Sequence, residues 1–126
     1  MILKDNLYTV VSGFTTANPP TACRIALNAE HTIYRAHFPG HPITPGVCII
    51  QMAVELLEEL VQSPLTLSEA KNVKYMSVLS PTETPEATYT FDSIDQVEAT
   101  VRAQVTVSAA QRQIAKISMT CKKRQG

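Results

Sequence analysis

The sequence has no excess of charge of either sign: 11 Lys and Arg balance 11 Asp and Glu, for a formal net charge of +0. A balanced chain lacks the broad basic face needed by nucleic-acid or anionic-lipid binders, so no nucleic-acid partner is expected. The one basic run, Lys122-Lys123-Arg124, reads as a solvated tail. No apolar run approaches the length of a membrane-spanning helix, so no membrane partner is expected. The first residues, Met1 to Gly13, alternate apolar and polar, without the charged start and apolar run of a secretory signal. The cysteines Cys23, Cys48 and Cys121 are odd in number and form no CxxC pair. Reduced thiols in a cytoplasmic protein are the expectation. No internal repeat, low-complexity stretch or linker divides the 126 residues, so one domain, 1–126, is expected. With 44% hydrophobic and 17% charged residues, its composition is that of an ordinary globular protein.

Three regions can be distinguished. In the first, Leu7-Tyr8-Thr9-Val10-Val11 is rich in the β-branched and aromatic residues that suit strands, and Asn18-Pro19-Pro20 breaks the pattern. Ala22, Arg24, Ala26 and Asn28 then alternate with Cys23, Ile25 and Leu27, the period of a half-buried strand. The second region opens with the run from His37 to Gly46, which holds three prolines and two glycines and must be a loop. Helical pattern follows at once, with Thr44 suited to the N-cap and Pro45 to the first helical position. From Val47 to Gln62, spacing at about 100° per residue gathers Gln51, Glu55, Glu58, Glu59 and Gln62 into one narrow polar stripe. The rest of the circumference is almost wholly apolar, which predicts a largely buried helix. Pro64 ends it. The third region predicts strands over Ala70 to Leu79, Ala87 to Ile94, Glu98 to Val107 and Gln113 to Lys122, joined by short turns as an antiparallel meander. One buried helix and several antiparallel strands predict an α+β fold with the sheet wrapped around the helix.

The run His37-Phe38-Pro39-Gly40-His41-Pro42-Ile43-Thr44-Pro45-Gly46-Val47-Cys48-Ile49-Ile50 resembles the signature of the 3-hydroxyacyl-[acyl-carrier-protein] dehydratases, HFPG-x-P-x-x-PGV-x-I-I followed by a catalytic Glu. The stretch from Lys74 to Pro81 is similar, more loosely, to that family's strand after the helix. The resemblance implies a hotdog fold, an obligate dimer and a thioester substrate carried on a phosphopantetheine arm, with no further cofactor. The implied partners are an acyl carrier protein or a coenzyme A thioester, and a second hotdog subunit, identical or related. The sequence departs from the family at one position: Gln51 stands where the acidic residue falls, and an amide exchanges no proton at neutral pH.

Dehydrating a 3-hydroxyacyl thioester needs a base for the α-proton, stabilisation of the enolate-like oxygen and a proton for the departing hydroxide. An imidazole with a pKa near ~6.5 suits the first role, which makes His37 the candidate base. The amides of Gly46 and Val47, at the positive end of the helix, are candidates to polarise the thioester carbonyl. His37 can return its proton to the hydroxide, with Gln51 orienting the leaving group. Glu55, displaced by about 6 Å along the helix, is a second candidate for the missing acid. His41 reads as a surface residue, Cys48 as packing, Met52 and Met76 as core, and Glu55, Glu58 and Glu59 as a solvated or loop-covered face. His31, His37 and His41 have no Cys or carboxylate at ligand spacing, so no metal is expected. A dehydratase, a non-catalytic acyl-binding subunit and a hotdog thioesterase all fit these residues.

Overall fold

The computed structural model describes residues 2–36 and 40–124. Six strands form one antiparallel sheet: β1 (Tyr8–Ser12), β2 (Thr21–Leu27), β3 (Leu65–Tyr75), β4 (Glu86–Val97), β5 (Thr100–Ala109) and β6 (Arg112–Lys123). Their order is β1-β2-β4-β5-β6-β3. Two helices, α1 (Thr32–Ala36) and α2 (Gly46–Val61), lie between β2 and β3 in the chain. This is a hotdog fold: the long helix α2 lies against the inner face of the sheet.

Alternation decides which face is inner. Along β5, Val101, Ala103, Val105, Val107 and Ala109 are buried. Along β6 the inward set is Ala115, Ile117, Met119 and Cys121, and along β2 it is Thr21, Cys23, Ile25 and Leu27. Ile114 is also buried, next to Ala115. The β5–β6 hairpin turns through Ala110 and Gln111, both at positive φ (49° and 63°), the two-residue geometry that matches strand twist. Register shifts interrupt every strand pair except β2–β4, including two in the long β3–β6 ladder, at Leu67/Glu69 and Lys71/Lys74. An extra residue on one strand bends the ladder and increases its twist, which lets strands of this length curve around a helix.

The helix buries Cys48, Ile49, Met52, Ala53, Val54, Leu56 and Leu57 against that curve, as its apolar circumference predicts. Each large apolar side chain contributes about 1.5–3 kcal/mol on full burial. Tyr89, fully buried on β4, donates its hydroxyl to the Ile49 carbonyl at 2.9 Å, so its one polar atom is satisfied inside the core. The helix ends where Gln62 turns left-handed (φ 55°) and its N–H bonds the Glu58 carbonyl. Glu58 also accepts the Leu65 amide at 2.7 Å and lies 3.4 Å from the Arg124 guanidinium, tying the helix end to the start of β3 and to residue 124.

Four expectations need correction. The N-cap is Pro45, not Thr44: the Cys48 and Ile49 amides both bond the Pro45 carbonyl, at 3.0 and 3.1 Å. Thr44 is instead buried, its hydroxyl 2.9 Å from that of Tyr34. Strand β3 starts at Leu65 and ends at Tyr75, earlier than the 70–79 pattern suggests, because its pairing with β6 begins directly after the helix. Met76, expected in the core, is 44% exposed, since it lies beyond the end of β3. Helix α1 was not expected, because a single five-residue turn offers no period to read.

Candidate active site

The loop before α2 is pinned from both sides. Thr44 donates its amide to the Leu79 carbonyl at 2.8 Å, and its hydroxyl meets Tyr34 from α1. These contacts fix the direction in which α2 leaves the loop. Because intrahelical bonding begins with the amides of Cys48 and Ile49, the amides of Gly46 and Val47 precede it, at the positive end of the helix. Gly46 is also a point of close approach. A Cβ built on it would lie 2.6 Å from the Tyr75 hydroxyl oxygen and 2.7 Å from the ring carbon bearing it. The ring of Tyr75, at the end of β3, therefore rests against the first turn of α2. Val47, in that first turn, and Tyr75, which rests against it, are both substantially exposed, so apolar surface is presented at the start of α2.

Gln51 lies four residues beyond Val47, on the same helix face about 6 Å further along. It is half-buried, and its side-chain amide nitrogen donates to Glu55 Oε2 at 2.9 Å. The structure gives Glu55 a definite role. It is 7% exposed and accepts four hydrogen bonds: from the Leu3 amide (2.9 Å), the Lys4 amide (2.8 Å), the Tyr8 hydroxyl (3.1 Å) and Gln51. A carboxylate offers about four lone-pair sites, so this one is fully occupied. It is thus a poor candidate for the missing acid, which would need a free oxygen facing substrate. Of the two surroundings expected for this face, Glu55 has the covered one: the N-terminal segment lies over it. Burial, followed by the Glu55 charge, raises the pKa of the Tyr8 phenol, which keeps it the donor. Lys4 also pairs with Glu59, and this hydrogen bond raises the pKa of its ammonium.

His37 lies outside the described residues. His41 is exposed, as expected, beside a shallow depression of about 200 Å³ formed with Pro42, Ile43 and Val78. A larger groove of about 830 Å³ runs along the polar stripe of α2, between Lys4 and the start of β3. It touches the motif only at Gln51, and its walls mix the charged Glu58, Glu59 and Arg124 with the apolar Ile2, Leu65 and Leu67. Cys48 is fully buried, and burial pushes its thiol pKa up, consistent with packing. Among the described residues no three His, Cys, Asp or Glu side chains gather where a metal ion would sit.

Residues 15–118 match the family model described as ApeI-like: ApeI dehydratase. The chain belongs to the ApeI-like dehydratase family. A stretch of 53 residues is 40% identical to the 3-hydroxyacyl-[acyl-carrier-protein] dehydratase FabZ of Acidiphilium cryptum (strain JF-5). That stretch is 41% of this chain and spans only 32% of the FabZ. Among solved structures, the dehydratase heterocomplex ApeI:P from Xenorhabdus doucetiae superposes with a TM-score of 0.66 at 17% identity, over 82% of this chain and 87% of that one. A hypothetical thioesterase protein with coenzyme A from Streptococcus pneumoniae gives a TM-score of 0.61 at 10% identity, over 94% of this chain and 88% of that one. At such identities the structural likenesses establish the hotdog fold and no more. The ApeI-like match covers both the loop motif and α2, which carry every site residue expected from the sequence.

Two features of this ApeI-like site were out of reach of sequence reasoning. The Tyr75–Gly46 contact joins residues far apart in the chain, and nothing in the spacing announces it. The Gln51–Glu55 bond was legible as an i, i+4 pair on a helix. Its significance was not, because the other three donors to Glu55 come from the N-terminal segment.

Proposed function

We propose that this ApeI-like chain is a 3-hydroxyacyl-thioester dehydratase, removing water to give a trans-2-enoyl thioester in fatty acid or polyene biosynthesis. The observation that carries the reading is the HFPG-to-PGV run leading directly into a helix whose first amides precede its own hydrogen bonding. His37 takes the proton from C2 of the substrate. The Gly46 and Val47 amides hold the carbonyl oxygen as it gains negative charge. The imidazolium returns its proton to the hydroxyl on C3, which leaves as water while the C2–C3 double bond forms. Gln51 orients that hydroxyl by hydrogen bonding. The substrate is carried on the phosphopantetheine of an acyl carrier protein or of coenzyme A, and no further cofactor takes part.

A second hotdog subunit completes the site, as a homodimer, a multiple of dimers or a related partner. Strand β3 is a sheet edge of 11 residues, and unpaired edges of that length invite pairing. The exposed Val47, Tyr75, Met76 and Val78 next to it support the same reading. Gln51 favours one alternative, a non-catalytic acyl-binding subunit working beside an active one, and the heterocomplex of the Xenorhabdus dehydratase fits such an arrangement. A hotdog thioesterase is the other reading, for which the thioesterase folds among its neighbours speak.

The deciding experiment is turnover of a 3-hydroxyacyl-carrier thioester by the purified protein, wild type against His37→Ala, with enoyl product and free thiol both followed. Enoyl product that disappears in the variant at unchanged melting temperature supports the dehydratase. Free thiol without enoyl product would replace it with the thioesterase, and binding without either product with the acyl-binding subunit. A stable monomer in sedimentation at micromolar concentration would overturn the paired site.

A further inference from the structure

We infer that the Tyr75 hydroxyl is a third donor to the thioester carbonyl oxygen, acting beside the Gly46 and Val47 amides. This deepens the dehydratase reading, on which it rests for the placement of that oxygen at the start of α2. The reason begins at Gly46. Glycine is required where the chain takes a positive φ, as at Gly40, but Gly46 has no such φ. What glycine supplies at position 46 is space. A Cβ there would lie 2.6 Å from the Tyr75 hydroxyl oxygen and 2.7 Å from the ring carbon bearing it, so the phenol stands where a side chain would be. The polar tip of the ring makes the closest approach to the helix backbone.

That approach limits how far apart two donors can be. In standard geometry a Cβ lies about 2.5 Å from the amide nitrogen of its own residue. The Tyr75 hydroxyl oxygen is therefore no more than about 5 Å from the Gly46 nitrogen. Hydrogen bonds to oxygen run near ~2.9 Å from N–H and ~2.8 Å from O–H, so one oxygen between two donors this close can accept from both. The phenol is held from behind by the sheet. Tyr75 pairs with Ala115, and the Met76 amide bonds the Ile114 carbonyl at 2.8 Å. Tyr75 is also exposed, so a substrate arriving from solvent can reach its hydroxyl. Partial burial raises the phenol pKa, which keeps the group protonated through neutral pH and above. It gives up no proton in the reaction. As the α-proton leaves and charge gathers on the carbonyl oxygen, an O–H already in place holds that charge.

The test compares the full-length wild type with Tyr75→Phe, which keeps the ring against Gly46 and removes the hydroxyl alone. The first readout is kcat and KM for a 3-hydroxyacyl pantetheine thioester. The second is the carbon-13 resonance of a saturated acyl pantetheine thioester labelled at its carbonyl, which has no hydroxyl to eliminate. Polarisation of the bound carbonyl moves this resonance downfield, and a purely structural role for Tyr75 would not alter the displacement. In Tyr75→Phe, kcat is expected to fall roughly tenfold to a hundredfold with KM little changed, somewhat less than for a fully enclosed oxyanion donor. The downfield displacement should shrink at an unchanged melting temperature. Wild-type kcat in the variant, or a carbonyl resonance equally displaced in both proteins, would overturn the inference. If the wild type turns over no 3-hydroxyacyl thioester, the dehydratase reading fails by itself, and the carbonyl resonance decides. A displacement reduced in the variant then supports the third donor, and an equal displacement or no binding refutes it. If the wild type hydrolyses the labelled thioester, the hydrolysis rate takes the place of the resonance, a slower rate in the variant supporting the donor and an equal rate refuting it.

Discussion

Replacing Gly46 by alanine tests the packing at the start of α2, and its two consequences oppose each other. Alanine in place of glycine at a position with negative φ reduces the freedom of the unfolded chain and stabilises by about 0.4–1 kcal/mol. Against this, the new methyl group would sit 2.6 Å from the Tyr75 hydroxyl oxygen, 2.7 Å from the adjoining ring carbon and 3.2 Å from the next. Ordinary contact lies near ~3.5–4.0 Å, so the ring must retreat by about 1 Å. Its backbone cannot follow easily, because Tyr75 pairs with Ala115 and the Met76 amide bonds the Ile114 carbonyl at 2.8 Å. The ring can yield, since Tyr75 is 49% exposed, and a displaced rotamer costs about 0.5–1.5 kcal/mol with some packing lost as well. The expected outcome for Gly46→Ala is a net loss of up to about 1 kcal/mol. In a Tyr75→Ala background the clash is gone, and the same substitution should stabilise by about 0.4–1 kcal/mol. Chemical denaturation of the four proteins of this double-mutant cycle measures the change of sign. Additive effects, with Gly46→Ala costing the same in both backgrounds, would refute the placement of the Tyr75 ring against the helix.

Removing the Glu55 carboxylate altogether, as Glu55→Ala, leaves the Leu3 and Lys4 amides and the Tyr8 hydroxyl without their acceptor. A loss of about 3–5 kcal/mol is expected, read as a fall of roughly 10–20 °C in melting temperature, with early hydrogen exchange at residues 3–8. The thiols of Cys23, Cys48 and Cys121 are buried, and burial pushes the first and last up to about 12 and about 11. All three should resist a thiol reagent at pH 8 in the folded protein and react together in denaturant, and rapid labelling of the native protein would contradict this packing. Gln51→Glu restores a group able to transfer protons but sets it 2.9 Å from the site of the Glu55 oxygen, so like charges meet. The variant should show an acid limb in its rate–pH profile that wild type lacks, while Gln51→Ala lowers turnover. Identical profiles in all three proteins would take Gln51 out of the reaction.

By itself, the sequence determined whatever depends on local pattern. The apolar circumference from Val47 onward, bounded by a Pro-Gly loop and Pro64, could only be a buried helix. The alternation in Val101-Ala103-Val105-Val107 and in Ala115-Ile117-Met119-Cys121 marked strands whose inner faces the structure confirms. The HFPG-to-PGV run, a contiguous motif, identified the family before any coordinates. What needed the tertiary structure was every feature made by residues distant in the chain. The N-cap moved from Thr44 to Pro45 because Tyr34 and Leu79 claim Thr44. Strand β3 began at Leu65 because its pairing with β6, rather than its own alternation, sets its limits. Glu55 looked like one acid among several on a polar stripe. It became a buried anchor only when the N-terminal segment folded over it, since a carboxylate's role is fixed by the donors that reach it and three of its four come from more than forty residues away.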